Sequence, residues 1–170
     1  MDIVLFSSPH KNGATAALLE KYAEKSSETV IYDLYEHSPQ PCIDCGVCAL
    51  RDGCSLHDID RLMADFESAD RIIFAFPVYN LSFPAPMKAL FDRFQRYYNA
   101  RFKRNKKPPV EKRRQAVLII TCGREWQANE ETVMKQIRQS FSILNLEITD
   151  VFVEDCTDCA ERGDKNGKQG

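Results

Sequence analysis

Residues 4–19 read VLFSSPHKNGATAALL: a short apolar block, a turn of small and polar residues, and then a helical pattern. The same change of pattern occurs at residues 69–94, ADRIIFAFPVYNLSFPAPMKALFDRF. A continuously apolar run of strand length is typical of a strand that is covered on both faces. Each stretch therefore predicts a buried strand followed directly by a helix, which is the repeating unit of a parallel sheet.

The alternation of strand and helix patterns extends over most of the chain. Short apolar blocks predict strands at residues 2–6, 29–34, 71–76, 116–121 and 148–153. Apolar residues on one helical face predict helices within residues 18–23, 59–66, 87–98 and 133–144. Right-handed crossovers then give an α/β fold, a three-layer, doubly wound, parallel five-stranded sheet of order 2-1-3-4-5. Ligands bind such a sheet beyond the carboxyl ends of its strands, so we expect function in the loops at 7–15, 77–83 and 121–128.

Composition favours one folded domain. The chain has 170 residues, of which 44% are hydrophobic, enough to bury a core. We predict a domain at residues 1–155 that contains a cysteine-rich segment at 35–57, called the cysteine segment below, and then a polar tail at 156–170 that carries Cys156 and Cys159.

Charge and hydropathy argue against two classes of partner. The 23 basic and 25 acidic residues leave a net charge of -2, so no global basic field attracts nucleic acid or an anionic membrane. No apolar run approaches the roughly 20 residues that span a bilayer. We therefore predict a cytoplasmic protein without nucleic-acid or membrane partners, in which the seven cysteines are reduced.

The segment from Ser7 to Thr15 predicts an anion site. A strand that ends in hydroxyl-bearing residues and then begins a helix presents free backbone N–H groups and the positive end of the helix dipole. Such a helix start binds a phosphate monoester. The alternative is an ordinary helix cap with a serine-rich turn.

The two quoted stretches resemble the NAD(P)H-dependent FMN reductase family of flavodoxin-like proteins, whose patterns run GSPRKxGNT and ADxIIxxxPVYxxxxPAxLKxxxDR. The resemblance covers about residues 1–155 and implies bound FMN. By this resemblance, the FMN phosphate is expected at Ser8, His10, Asn12, Ala14 and Thr15. The isoalloxazine ring is expected at Pro77, Val78, Tyr79 and Asn80, and a third flavin loop at Thr121, Cys122 and Gly123. His10 and Ala14 stand where the family has Arg and Asn, which leaves Lys11 and the helix end to supply positive charge.

The resemblance implies an oxidoreductase that passes electrons from NAD(P)H through FMN to an acceptor. Because the flavin supplies the chemistry, no catalytic acid or base is predicted. Two alternatives stay open. A flavodoxin-like electron shuttle would dock to a partner protein without nicotinamide turnover, and a cofactor-free fold would keep these loops without use.

Four of the cysteines, Cys42, Cys45, Cys48 and Cys54, follow the spacing C-x2-C-x2-C-x5-C. Spacings of two place successive thiolates around one centre, as in ferredoxin-type loops. The spacing resembles that of the iron–sulfur flavoprotein branch of the same family, which implies a [4Fe-4S] cluster. Zinc is the second alternative, although sites with four sulfurs usually pair two separated CxxC motifs. A loop of reduced cysteines without metal is the third.

Two further patterns concern the surface. Aromatic residues at positions 94, 97, 98 and 102, and the lack of an apolar helical face after Val153, predict a homodimer or a larger homo-oligomer. The basic stretch from Asn99 to Arg114 is predicted as a solvated loop, with phosphate binding as its alternative.

Overall fold

The computed structural model describes residues 1–23 and 29–158. Within these residues, five parallel strands form one sheet in the order β2-β1-β3-β4-β5, which confirms the predicted fold class and strand order. The strands are β1 (Asp2–Phe6), β2 (Thr29–Asp33), β3 (Arg71–Pro77), β4 (Arg114–Thr121) and β5 (Leu146–Glu154). The polar tail lies outside the described residues from Cys159 onward, so its boundary stays a prediction.

Helices cover the sheet on both faces. Those of the described chain are α1 (Ala14–Ala23), α2 (Val47–Leu50), α3 (Asp60–Ser68), α4 (Ala85–Arg93), α5 (Gln95–Phe102) and α6 (Gln127–Leu144). Leu19 of α1 packs on a small cluster that includes Val4 and Ile119, while α3 to α6 pack on the other face around Phe74. None of the helices in residues 1–23 and 29–158 combines the length and the apolarity needed to cross a membrane.

The sheet register places the candidate loops together. Phe6 of β1 pairs with Ala75 of β3, and Pro77 at the end of β3 pairs with Thr121 at the end of β4. The carboxyl ends of these strands therefore lie side by side at one edge of the sheet. The loops that follow them share that edge, as the strand order predicts.

Apart from shifts of one or two residues at strand ends, three segments differ from the predictions. The apolar stripe at 87–98 predicted one helix, but the chain turns at Phe94, whose N–H donates to the Phe91 carbonyl three residues back at 3.1 Å. The predicted loop at 99–114 is shorter, since α5 continues to Phe102 and β4 begins at the buried Arg114. The cysteine segment, predicted as a loop, contains the four-residue helix α2.

Candidate functional site

Thr121 joins the three loops that were predicted to hold FMN. Its hydroxyl lies 2.7 Å from the hydroxyl of Thr15 at the start of α1, and both side chains are buried. Its backbone carbonyl accepts a 2.8 Å hydrogen bond from the N–H of Val78, directly after β3. The structure therefore brings the first, second and third loops into contact through one residue.

The first loop, residues 7–13, is a tight turn that leads into α1. The N–H of Gly13 donates to the His10 carbonyl at 3.1 Å, and the Ser8 hydroxyl accepts from the N–H of His10 at 3.3 Å. A Cβ atom on Gly13 would lie 2.9 Å from the Cβ of His10, so the turn requires glycine there. The amides of the first turn of α1, which follows at Ala14, have no intrahelical acceptor.

One polar atom of this loop is left over. The hydroxyl of Ser7 is buried and has no hydrogen-bond partner in the described part of the chain. A buried hydroxyl is normally bonded, so an unbonded one beside a helix start suits a site whose ligand supplies the missing bonds. The first loop therefore fits a phosphate group on geometry as well as on sequence.

Lys11 does not face this anion site. Its ammonium group bonds to the carboxylate of Glu36 and lies 3.9 Å from that of Asp33, at the end of β2. The bond to Glu36 raises the pKa of Lys11 and lowers the pKa of Glu36. Lys11 and the helix end were expected to supply positive charge to the phosphate together. The charge of Lys11 is instead paired with carboxylates, so the start of α1 is left to supply it alone.

The second loop closes in a turn of two residues. Tyr79 and Ser82 exchange backbone hydrogen bonds, both of 2.9 Å, and the residues between them, Asn80 and Leu81, have φ of 51° and 60°. Asparagine tolerates this left-handed region, whereas leucine adopts it rarely. The side chain of Gln136 on α6 donates to the Leu81 carbonyl at 3.3 Å. The turn is thus fixed to the body of the fold, with the Tyr79 and Leu81 side chains 40% and 49% exposed.

Tyr35 is a candidate site residue that the sequence did not suggest. It lies after β2, is exposed, and has its N–H bonded to the Asp33 carboxylate at 2.8 Å. Partial burial and then the neighbouring Tyr79 raise its pKa, so the two phenols lie within electrostatic range. An exposed aromatic residue just beyond the carboxyl end of an edge strand is the signal that would have identified it.

The third loop divides its residues between core and surface. The Cys122 side chain is buried, and burial followed by the effect of Asp155 raises the pKa of its thiol to about 11. Its N–H donates to the Glu154 carbonyl at 3.0 Å, and its carbonyl accepts from the Thr157 N–H at 3.2 Å. Cys122 thus turns into the fold, and Gly123 is the half-buried residue that faces outward.

The chain after β5 closes against this third loop. The carboxylate of Asp158 approaches the backbone of Gly123 so closely that a Cβ atom at that position would displace the Asp158 side chain. The Asp155 carboxylate accepts from the N–H of Trp126 at 2.9 Å. Residues 155–158, which span the predicted boundary between the domain and the tail, therefore pack against the third loop.

The cysteine segment gathers its sulfurs in one place. Cys42, Cys45, Cys48 and Cys54 are free thiols that line a single cavity of 20 Å³, about the space of one water molecule. Across residues 1–23 and 29–158, however, no three Cys, His, Asp or Glu side chains are arranged to hold a metal ion. The donor set suits a sulfur-ligated centre, and binding would require the four thiols to move together around it.

A buried arginine fixes both ends of the cysteine segment. Arg93, the last residue of α4, is 3% exposed. Its guanidinium donates to the carbonyls of Gln40 and Leu56 at 3.0 and 2.8 Å and to the Asp58 carboxylate at 2.8 Å. The segment therefore leaves and rejoins the fold at fixed points, and its turns between them use positive φ at Asp44, Gly46 and Gly53.

Comparison with known sequences gives a family match and partial relatives. A family model described as a flavodoxin-like fold matches residues 3–169. An iron-sulfur flavoprotein of Methanosarcina thermophila is 40% identical over 78 residues, which cover 45% of this chain and 41% of that protein. An FMN-dependent NADH:quinone oxidoreductase of Bordetella bronchiseptica is 34% identical over 95 residues, 54% of this chain and 44% of that protein. The chain thus spans less than half the length of these curated relatives.

Comparison with solved structures supports the fold. The Trp repressor binding protein of Bacillus subtilis superposes with a TM-score of 0.64 at 16% identity, covering 95% of this chain and 92% of that one. The NAD(P)H:quinone oxidoreductase of Methanothermobacter marburgensis gives 0.62 at 18% identity, with 91% and 82% covered. At these identities the likeness concerns the fold alone.

Proposed function

This chain belongs to the flavodoxin-like fold family, and from that membership we propose that it is an FMN-dependent oxidoreductase that takes electrons from NAD(P)H. The observation that carries the proposal is the contact of three loops through Thr121, beside an anion site at the start of α1. The similarity to an FMN-dependent NADH:quinone oxidoreductase supports it.

The chain's own groups would bind and orient the flavin. The amides at the start of α1 and the hydroxyls of the first loop hold the phosphate, while Pro77 to Asn80 and Gly123 line the ring. When bound, FMN supplies the hydride-accepting ring, so the protein contributes position and electrostatics. The closed turn holds the exposed side chains of Tyr79 and Leu81 in the second loop, where they would shield a bound ring from water.

We propose a quinone-class acceptor for the electrons. The name of the Bordetella relative supports this choice. The exposed side chains of Tyr35, Tyr79 and Leu81 also support it, because they offer aromatic and apolar surface to a planar substrate beside the ring loop.

The test is FMN binding followed by steady-state turnover. FMN fluorescence should be quenched on titration into the protein, and NADH or NADPH should then be oxidised in the presence of menadione. Binding without turnover would support the electron shuttle instead. Absence of FMN binding would contradict both and leave the cofactor-free fold.

We propose that Cys42, Cys45, Cys48 and Cys54 hold a [4Fe-4S] cluster. Their spacing, their shared cavity and the similarity to an iron-sulfur flavoprotein support this. Protein prepared without oxygen, and again after reconstitution, should contain about four iron and four sulfide per chain. Zinc in place of iron would favour the zinc alternative, and neither metal would favour the metal-free loop.

We also propose that the protein is a homo-oligomer. The rings of Tyr98 and Phe102 on α5 contact each other at a tilt of 44°, with 4.6 Å between their centres, yet the two residues are 41% and 55% exposed. A second copy of the chain that covers this pair would remove apolar surface from water. The cytoplasmic location stays a prediction from the hydropathy of the sequence.

A further inference from the structure

We infer that Asn99 is a positioning residue for Cys48, whose sulfur it fixes before any metal is bound. This rests on the proposed four-cysteine site. Asn99 lies in α5 and is 7% exposed, and its side-chain amide donates to the Sγ atom of Cys48 at 3.2 Å. A donor from the body of the fold thus reaches a sulfur of the cysteine segment.

Asn99 is poorly explained by the needs of its own helix. Asparagine is a weak helix former, because its side chain competes with the helix for backbone hydrogen bonds. A buried amide also carries a desolvation cost unless it is bonded. An apolar residue would satisfy the buried position on α5 without that cost, so the bond to sulfur accounts for the amide.

Cys48 is also held through its backbone. Its carbonyl accepts from Nε of Arg104 at 3.2 Å, and the same guanidinium pairs with the Asp52 carboxylate at 2.6 Å. Asn99 and Arg104 therefore both donate hydrogen bonds to Cys48, Asn99 to its side chain and Arg104 to its main chain. Arg104 lies in the stretch predicted as a solvated basic loop, and it contacts the cysteine segment instead.

Cys48 differs in this respect from the other three cysteines. The exposed Cys45 sulfur lies 2.9 Å from the hydroxyl of Ser55, which is itself part of the cysteine segment. Among the described residues, Cys48 is the one cysteine of the four whose sulfur is bonded from outside the segment. It is therefore the fixed ligand around which the other thiols would close.

Donors of this kind orient a metal ligand and strengthen binding. Loss of such an outer-shell partner typically weakens metal binding by about 10–100-fold. An N–H donor to sulfur also becomes a charge-assisted bond once the sulfur is a thiolate. We expect the contact to strengthen when the site is loaded.

The first experiment titrates Co²⁺ into the metal-free protein and follows sulfur-to-cobalt charge-transfer absorption. Asn99→Leu removes the donor at similar volume, and we expect it to weaken Co²⁺ binding by about 10-fold or more. Asn129→Leu is the matched control, since Asn129 is a buried asparagine on α6 whose amide bonds to the Glu125 carbonyl at 3.0 Å. Equal affinity in Asn99→Leu and the wild type would overturn the inference.

The second experiment needs no metal. The melting temperatures of Asn99→Leu, Cys48→Ala and the double variant form a cycle, and a contact makes the double variant less destabilised than the sum of the single ones. Additive effects would overturn the inference. If Asn99→Leu does not fold, Asn99→Ala, which removes the donor without adding a charge, takes its place in both experiments.

The two experiments separate the inference from the function on which it rests. A wild-type protein that binds neither cobalt nor iron would refute the proposed cysteine site. The melting cycle would still decide whether Asn99 holds the Cys48 sulfur.

Discussion

At the scale of single residues, the first loop makes the most direct prediction. Asn12→Ala combined with Thr15→Ala should weaken FMN binding by at least about 100-fold, because each of the two lost hydrogen bonds to a charged phosphate costs about 1.5–3 kcal/mol. Fluorescence titration measures the affinity. Thr132→Ala on the exposed face of α6 is the control. Unchanged affinity in the double variant would place the phosphate elsewhere.

The left-handed Leu81 predicts a conflict between stability and binding. Leu81→Gly removes a side chain from φ of 60°, so we expect the free energy of unfolding to rise by about 1 kcal/mol. FMN binding should weaken, because the second loop loses apolar surface beside the proposed site of the isoalloxazine ring. Denaturant unfolding measures the first effect and FMN titration the second.

The matched control for Leu81→Gly is Leu50→Gly. Leu50 is an exposed leucine at the end of the short helix α2, where glycine lowers stability because it gives the unfolded chain more freedom. The two leucine-to-glycine changes should therefore move stability in opposite directions. A loss of stability in both would show that the Leu81 backbone is not strained.

At the scale of elements, burial explains which parts of the fold could be predicted from the sequence. β3 is apolar from Ile72 onward and Ile72 to Phe76 are buried, so its pattern identifies it without ambiguity. The break between α4 and α5 at Phe94 could not be predicted, because the apolar stripe continues across it. The inward-facing polar side chains of Arg93 and Asn99 bond to the cysteine segment, and no local pattern shows a partner that distant in sequence.

The candidate site was predictable to a similar degree. Thr15 and Thr121 lie at the same edge of the sheet because the strand order determines which loops are neighbours. That order was predicted from the alternation of strands and helices along the chain. The inward turn of Cys122 and the contribution of Tyr35 depend on tertiary packing. Such packing leaves no periodic signal in a single sequence.

Arg93 allows a test of how α4 supports the cysteine segment. Arg93→Met should lower the free energy of unfolding by about 1–3 kcal/mol, because it removes the hydrogen bonds to the carbonyls of Gln40 and Leu56 and to the Asp58 carboxylate. The segment should also become open to limited proteolysis. Arg138→Met, on an exposed part of α6, should change neither. Equal protease resistance in the two variants would contradict a clamping role.

At the scale of the whole molecule, α5 makes the prediction about assembly. Phe102→Glu should convert the proposed oligomer to a monomer, because it places a charge on the exposed aromatic pair. Sedimentation velocity at micromolar concentration measures this. Lys103→Glu changes the charge of the next residue without altering the aromatic surface, and should leave the assembly intact. A monomeric wild-type protein would refute the interface.

The segment from the end of β3 through α5 serves both candidate sites. Its first residues, from Pro77, form the second loop, which is proposed to line the isoalloxazine ring. Arg93 and Asn99, further along the segment, bond to the cysteine segment. In evolutionary terms the two sites are then inherited together, since a recombination point between them would separate a sulfur loop from its supports. A designer who transplanted the cysteine loop alone would move the ligands and leave behind the residues that arrange them.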